Sequence, residues 1–234
     1  MLSSLQAELK SLADFKQAEI SQRFFKTGEG GYGEGDVFLG IKVPIQRGVA
    51  KKFIGLSLPR IQELLNSKIH EERLVGLLIL VEKFKKSEEV VRGDIFNFYI
   101  KNTKKINNWD LVDLTAPNIV GEFLLDKKKK SVLYDLAESE NLWEKRIAVL
   151  ATFTFIKNED FEDALRIAEI LLNDEHDLIH KAVGWMLREI GKRDLEVEEK
   201  FLKRYCKKMP RTMLRYAIEK FDEGKRKSYL RGKV

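Results

Sequence analysis

The chain lacks most of the residues that would cross-link it or hold a metal cluster. Cys206 is the only cysteine among 234 residues, so an internal disulfide and a multi-thiolate metal site are both excluded. Prolines number only four, and segments with strand periodicity are scarce. No apolar run approaches the about 20 residues that a membrane-spanning helix needs. We therefore expect a cytoplasmic protein with no membrane segment.

Helical spacing of apolar residues runs along nearly the whole chain and predicts an all-α protein. We expect one domain over residues 1–234 that opens with a single amphipathic helix in residues 1–25. Residues 26–36 hold the one glycine-rich stretch and are predicted to form a loop. Residues 225–234 are basic and poor in apolar side chains, so this tail is expected to be frayed.

Three segments of the chain, 64–78, 136–150 and 171–185, resemble one another. Each combines the apolar end of one helix, a short polar turn and a basic residue that opens a second apolar helix. Their period of roughly 35 to 40 residues is typical of HEAT-like helix pairs. Because one such pair cannot bury its apolar face alone, we expect the pairs to stack into a solenoid. The second helices would line its concave face.

The segment from Ile106 to Asp113 places a tryptophan and a carboxylate four residues apart. If this segment is helical, Trp109 and Asp113 share one face, one turn apart. Asn107 or Asn108 is then the N-cap. An aromatic face beside a carboxylate is suited to holding a cation.

Basic residues recur at equivalent places in the repeats, and the net charge is +6. Arg146 and Lys181 open two of the second helices, and Trp185 and Arg188 follow Lys181 on the same face. A basic groove binds phosphates by neutralising their charge. We predict that this basic lining is formed by Arg146, Arg188, Lys181, Arg47 and Arg215.

Each of these features also has an ordinary structural interpretation. Tryptophans at helical spacing are usually core residues, and a lone aspartate is usually solvated or paired with a lysine. The glycine-rich loop lacks the strand and the Gly-Lys-Ser/Thr ending of a phosphate loop, so we interpret it as a flexible lip with Tyr32 at its tip. His176 and His180 straddle a predicted turn with no glutamate after His176, which argues against zinc. We expect no metal and no cofactor.

Four motifs in this order resemble the AlkD-like DNA alkylation repair family, whose members are HEAT-like helical solenoids. They are Phe38-Leu39-Gly40-Ile41-Lys42-Val43-Pro44, Trp109-Asp110-Leu111-Val112-Asp113, Lys145-Arg146-Ile147-Ala148, and the segment from Lys181 to Glu189. The resemblance implies a DNA glycosylase that removes N3- and N7-alkylated purines from duplex DNA. It further implies that Trp109, Asp113 and Trp185 form the catalytic cleft and that Arg146 and Arg188 contact DNA.

The chain departs from this family pattern in two places. The glycine-rich loop is longer than expected, and Phe25 is the residue that best matches a tyrosine of the catalytic members. Three functions therefore stay open. They are a monofunctional glycosylase that acts as a monomer on duplex DNA containing alkylated purines, a non-catalytic relative that binds branched or distorted DNA, and a protein-binding repeat scaffold.

Overall fold

The computed structural model describes all residues from Met1 to Val234, and its regular secondary structure is helical. The prediction of an all-α protein is therefore confirmed. Three short 3₁₀ turns (Thr103–Lys105, Leu171–Asn173 and Ile218–Lys220) and one π-helical turn (Pro117–Gly121) join longer helices. In chain order the α-helices are α1 Leu2–Ser11, α2 Phe15–Phe24, α3 Val43–Lys52, α4 Leu58–Leu65, α5 His70–Lys86, α6 Glu89–Lys101, α7 Trp109–Ala116, α8 Glu122–Leu124, α9 Ser131–Ala137, α10 Leu142–Lys157, α11 Glu162–Ile170, α12 Asp177–Gly191, α13 Leu195–Tyr205, α14 Arg211–Ala217 and α15 Glu223–Leu230. None of these helices combines the length and the apolar character that crossing a membrane requires.

The N-terminal segment 1–25 forms two helices, so the prediction of one continuous helix is wrong. The first helix ends before Asp14, whose carboxylate accepts a hydrogen bond from the backbone N–H of Gln17 at 3.0 Å. The backbone N–H of Asp14 donates to the carbonyl of Leu39 at 2.9 Å. A side chain that caps a new helix competes with continuation of the old one. As a result Leu5 and Leu9 are buried in α1, whereas α2 buries none of its residues.

The C-terminal segment is also more ordered than its composition predicts. Residues 225–230 belong to α15, and the carboxylate of Asp222 caps this helix at the backbone N–H of Lys225, 2.9 Å away. Tyr229 is only 2% exposed and packs edge-on against Phe221. The expectation of a frayed tail from residue 225 is therefore wrong, because one buried tyrosine anchors the helix.

Two compact units divide the chain, Met1–Thr115 and Ala116–Val234. In the first unit α5 is buried along most of its length, with α3 and α4 packed against it. In the second unit α12 packs against α10 and α14, and α10 packs against α9. The three similar sequence segments span the junctions within the helix pairs α4–α5, α9–α10 and α11–α12. A single domain over residues 1–234 stays a prediction.

Candidate active site around Trp109

Helix α7 begins at Trp109, as the tryptophan–aspartate spacing predicts. The side-chain oxygen of Asn108 accepts a hydrogen bond from the backbone N–H of Trp109 at 2.8 Å, so Asn108 is the residue that opens the helix. Leu111 and Val112 are fully buried, whereas Trp109 and Asp113 are half-buried. The helix therefore holds its apolar side in the core and keeps Trp109 and Asp113 together on a face that reaches solvent.

A stack of rings from three other chain segments holds Trp109 in place. The ring of Phe25 lies 5.0 Å from that of Trp109 at an angle of 13°, and Phe38 stacks on Phe25 at 4.9 Å. The imidazole of His70 continues the stack 4.4 Å from Phe38. Phe24 meets Trp109 edge-on at 5.8 Å. Phe25 therefore covers one face of the indole.

Tyr32 joins this cluster through its hydroxyl group. The indole N–H of Trp109 donates to the Tyr32 hydroxyl at 3.2 Å, and that hydroxyl donates to the backbone carbonyl of Phe24 at 3.2 Å. The interpretation of Tyr32 as the tip of a flexible lip is therefore wrong. Its ring is half-buried, and it fixes the rotation of the Trp109 side chain.

Beneath the stack lies a buried network of charged side chains. His70 is 1% exposed. Its Nε2 lies 2.8 Å from a carboxylate oxygen of Asp110, and its Nδ1 lies 3.1 Å from one of Asp36. Arg73 forms a further ion pair with Asp36 at 2.7 Å. The network ties the loop before α3 and the first turn of α5 to the first turn of α7, which carries Trp109.

The two carboxylates keep this histidine charged. Burial by itself lowers the pKa of His70, but the charge and hydrogen bond of Asp110 and the hydrogen bond of Asp36 outweigh it and raise the pKa to about 9. Burial likewise acts to raise the pKa of Asp36, yet the hydrogen bond from His70 and the charge of Arg73 lower it. An imidazolium with one carboxylate on each nitrogen is therefore the form present at neutral pH.

Sequence reasoning missed this network and included Asp110 only as part of the motif from Trp109 to Asp113. One signal was available, since His70 opens α5 just as Trp109 and Asp110 open α7. The partner residues lie 34 and 40 positions apart, and no local pattern joins residues at such distances.

The motif from Phe38 to Pro44 is held by a single carboxylate. Glu71 accepts hydrogen bonds from the backbone N–H groups of Leu39, Gly40 and Ile41 at 2.9, 2.8 and 3.2 Å. Gly40 adopts φ +82°, and a Cβ there would lie 2.2 Å from the carbonyl oxygen of Asp14. Only glycine allows this close approach between the motif and the start of α2.

Asp113 lies close enough to Tyr99 to act on its ionisation. Burial raises the pKa of the Tyr99 phenol, a hydrogen bond with Thr115 opposes that rise, and the negative charge of Asp113 adds to it. The hydroxyl groups of Tyr99 and Thr115 are 2.9 Å apart. Tyr99 is therefore a neutral, buried neighbour of the Asp113 carboxylate.

Arg146 lies in the second unit and is mostly enclosed by protein. Its side chain is 5% exposed, and its Nη1 donates to the backbone carbonyl of Leu178 at 2.6 Å. The guanidinium thus bridges α10 to the first turn of α12. This geometry favours a structural contribution, and its contact with DNA stays a prediction.

Trp185 and Arg188 both engage acidic side chains of the second unit. The indole N–H of Trp185 donates to Glu189 at 3.2 Å, and Phe153 lies 5.9 Å from the Trp185 ring. Arg188 forms a close ion pair with Glu219. Burial acts to raise the pKa of Glu189, but the hydrogen bond and charge of Lys192 outweigh it and lower the pKa. The roles of Trp185 and Arg188 toward DNA stay predictions.

The other predicted basic residues differ in exposure. Lys181 pairs with Asp177 at 2.6 Å within the first turn of α12. Arg47 is half-buried on α3, and Arg215 is exposed on α14. The structure brings Trp109 and Asp113 together on α7. Trp185, Arg146, Arg188, Lys181 and Arg215 belong to the second unit.

Paired helices in sequence-similar repeats place the chain among helical-repeat proteins, and several solved structures share this fold. A predicted DNA alkylation repair enzyme from Enterococcus faecalis has a TM-score of 0.71 at 16% identity, covering 90% of this chain and 97% of that chain. AlkD2 from Streptococcus mutans has a TM-score of 0.58 at 18% identity, covering 88% and 98%. The smu.31 protein from Streptococcus mutans UA159 has a TM-score of 0.54 at 16% identity, covering 95% and 98%.

A family model described as "DNA alkylation repair enzyme" matches residues 5–221. The chain therefore belongs to the DNA alkylation repair enzyme family, which confirms the resemblance seen in its motifs. No curated protein matches the sequence. The structural similarities, at identities of 16–18%, support the fold alone.

Proposed function

We propose that the protein is a DNA glycosylase that hydrolyses the N-glycosidic bond of positively charged N3- or N7-alkylated purines in duplex DNA. The observation that carries the proposal is the pairing of Trp109 and Asp113 on one half-buried face of α7 in a chain of the DNA alkylation repair family. An aromatic face and a carboxylate suit a cation, and an alkylated purine nucleotide is a cation attached to a polyanion.

The chemistry of this substrate explains why so few groups suffice. Alkylation at N3 or N7 gives the purine a formal positive charge, which makes the base a good leaving group without protonation. When the glycosidic bond breaks, positive charge moves from the base to the sugar, which becomes oxocarbenium-like. No general acid is needed, in contrast to glycosidases that act on neutral leaving groups.

Asp113 is the group proposed to stabilise the sugar cation. A carboxylate placed beside the developing charge lowers the energy of the transition state, and it can also orient or deprotonate the attacking water. The free face of Trp109 would attract the cationic base through a cation–π contact worth about 0.5–2 kcal/mol. Tyr32 and Phe25 hold the indole in one orientation, so this contact requires no reorganisation of the ring.

Base release from methylated duplex DNA tests the proposal. Asp113→Asn keeps the shape of the side chain and removes its charge, so we expect release of 7-methylguanine to fall by at least about 100-fold, the scale of one lost electrostatic group. Binding to undamaged duplex should change little. The matched control is Asp94→Asn, an exposed carboxylate on α6, which should release base at the wild-type rate.

The same assay distinguishes the glycosylase from the alternative functions. A wild-type protein that releases no alkylated base yet binds branched DNA more tightly than linear duplex would establish the non-catalytic DNA-binding function. That alternative has one observation in its favour, since Phe25, Phe24 and Tyr32 already pack around Trp109. Equal base release by wild type and Asp113→Asn would refute the role of the carboxylate.

A further inference from the structure

A polar cavity of about 340 Å³ lies in the first unit, where the α4–α5 loop meets the segment that leads into α7. Its volume is at the lower end of the about 300–1,000 Å³ found for ligand pockets. Lys68 comes from the first of these segments, and Lys104 and Lys105 come from the second, while Arg73 reaches in from α5. Asn107, two residues before Trp109, also lines the cavity.

The acidic residues of this cavity are already engaged, but its lysines are not. Asp36 is paired with Arg73 at 2.7 Å and with His70 at 3.1 Å. The carboxylate of Glu34 accepts the backbone N–H of Gly30 at 2.9 Å. Lys68, Lys104 and Lys105 are exposed and lie outside the ion pairs that engage many of the chain's other lysines. The Asp36–Arg73 pair is neutral and Glu34 keeps its negative charge, so the three lysines leave the lining with a net charge of +2.

Two buried polar atoms on the cavity wall also lack a hydrogen-bond partner. They are Nε of Arg73 and the side-chain oxygen of Asn107. Arg73 is only 4% exposed, and its Nη1 and Nη2 groups are engaged by the carbonyl of Ser67 and by Asp36. An unpaired buried donor is costly. The donor that an anion or a water could pair with is Nε of Arg73, whereas the Asn107 oxygen is an acceptor that needs a water or an ammonium group.

We propose that this cavity is a phosphate-binding site in which Lys68, Lys104 and Lys105 hold a backbone phosphate of the DNA duplex. The inference rests on the proposed function to the extent that duplex DNA is the ligand. Lysine ammonium groups bind phosphates as point charges with little demand on geometry. The site would fix the strand beside the start of α7, so that the base next to it meets Trp109 and Asp113.

Binding of a labelled, undamaged duplex between about 50 and 200 mM salt tests the site. The double substitution Lys104→Ala, Lys105→Ala should shallow the slope of log affinity against log salt by about 1 for each phosphate that the protein no longer neutralises. We expect affinity at low salt to fall by about tenfold or more. Both side chains are exposed, so folding should be preserved, and circular dichroism checks it.

The matched control is Lys85→Ala, Lys86→Ala. This pair of adjacent exposed lysines ends α5, lies outside the cavity and removes the same net charge. It should leave the salt slope at its wild-type value. Equal slopes for the two double variants would overturn the proposal, because the effect would then come from total charge alone.

Titration with inorganic phosphate separates the two sources of phosphate. If the lysine variant loses binding of free phosphate but binds duplex like the wild type, the assignment to the DNA backbone is wrong. The use of undamaged duplex keeps this test apart from base release. One outcome is that the wild type releases no base while the Lys104→Ala, Lys105→Ala variant still shows a shallower salt dependence of duplex binding. That result would refute the glycosylase activity and support the phosphate site. Normal base release by the wild type, together with an unchanged salt slope in the lysine variant, would support the glycosylase activity and refute the phosphate site.

Discussion

Trp109 shows how much of one residue's function depends on its distant neighbours. Phe25 covers one face of the indole, and the hydroxyl of Tyr32 accepts its N–H. The remaining face is thus fixed in one orientation before any ligand arrives. Pre-organisation of this kind lowers the entropy cost of binding, so the proposed contact of Trp109 with a cationic base would need no ordering of the ring.

His70 gives the first prediction for a single residue, because its charge is held by Asp36 and Asp110. Its pKa is raised from 6.5 to about 9, so the folded state binds this proton more tightly than the unfolded state does. The stability that results is complete below pH 6.5 and is lost as the pH rises through about 9. His70→Gln should lose about 3 kcal/mol at neutral pH, since the buried Asp110 loses its charged partner and Asp36 keeps only Arg73.

Thermal unfolding followed by circular dichroism at several pH values measures this effect. The gap in melting temperature between wild type and His70→Gln should be wide near pH 7 and should narrow near pH 10. His176→Gln is the control, because partial burial lowers the pKa of His176, so its contribution to stability changes only on the acid side. A gap that stays constant from pH 7 to 10 would show that His70 is not held as a cation.

Among the secondary-structure elements, the motif from Phe38 to Pro44 works as a connector between helices. Glu71 on α5 binds three of its backbone N–H groups, and the carbonyl of Leu39 accepts the backbone N–H of Asp14. The same contacts end the first helix and start the second. The break in the N-terminal segment thus combines a local cap, the Asp14 carboxylate at the start of α2, with the backbone contact between Asp14 and Leu39.

Gly40→Ala tests this connector. The position combines φ +82° with a Cβ that would lie 2.2 Å from the carbonyl oxygen of Asp14. We expect a loss of at least about 2 kcal/mol in the free energy of unfolding, above the backbone strain of about 1 kcal/mol. Gly30→Ala isolates the strain, because Gly30 has φ +71° with open space around its Cβ. Urea unfolding measures both, and equal losses would show that the contact with Asp14 relaxes without cost.

The molecule as a whole has two compact units, and the predicted catalytic residues are divided between them. Trp109 and Asp113 belong to the first unit, and Trp185 belongs to the second. The proposed reaction therefore makes a distinct prediction for each unit. In the first unit, Asp113 is predicted to supply most of the rate enhancement for base release. In the second unit, Trp185 is predicted to supply a smaller part of it.

Trp185→Ala tests the contribution of the second unit. Loss of a cation–π interaction of about 0.5–2 kcal/mol corresponds to a fall in kcat/KM for base release of about 2- to 30-fold. Trp185→Phe keeps an aromatic face and should retain most of the activity. The hydrogen bond from Trp185 to Glu189 is absent from both variants, so the phenylalanine controls for it. If both variants release base at the wild-type rate, Trp185 has no part in the reaction.

The helical class, the family and the face of α7 that carries Trp109 and Asp113 could all be predicted from the sequence. The helical class and the face of α7 follow from local rules, since helical spacing, an asparagine at the helix start and a four-residue interval act within one or two turns. The family was predicted from the resemblance of four motifs. The same rules failed at Asp14 and Tyr229, where a backbone contact with Leu39 and a buried ring decide the outcome.

The surroundings of that face could not be predicted, because they form only when the chain folds. The stack of Phe25 and Phe38, the hydroxyl of Tyr32 and the charged His70 reach Trp109 from segments far away in the chain. The lysines of the cavity beside α7 likewise meet only after folding. Burial, charge pairing and ring stacking depend on three-dimensional distance, and the local spacing of residues in the sequence does not determine that distance.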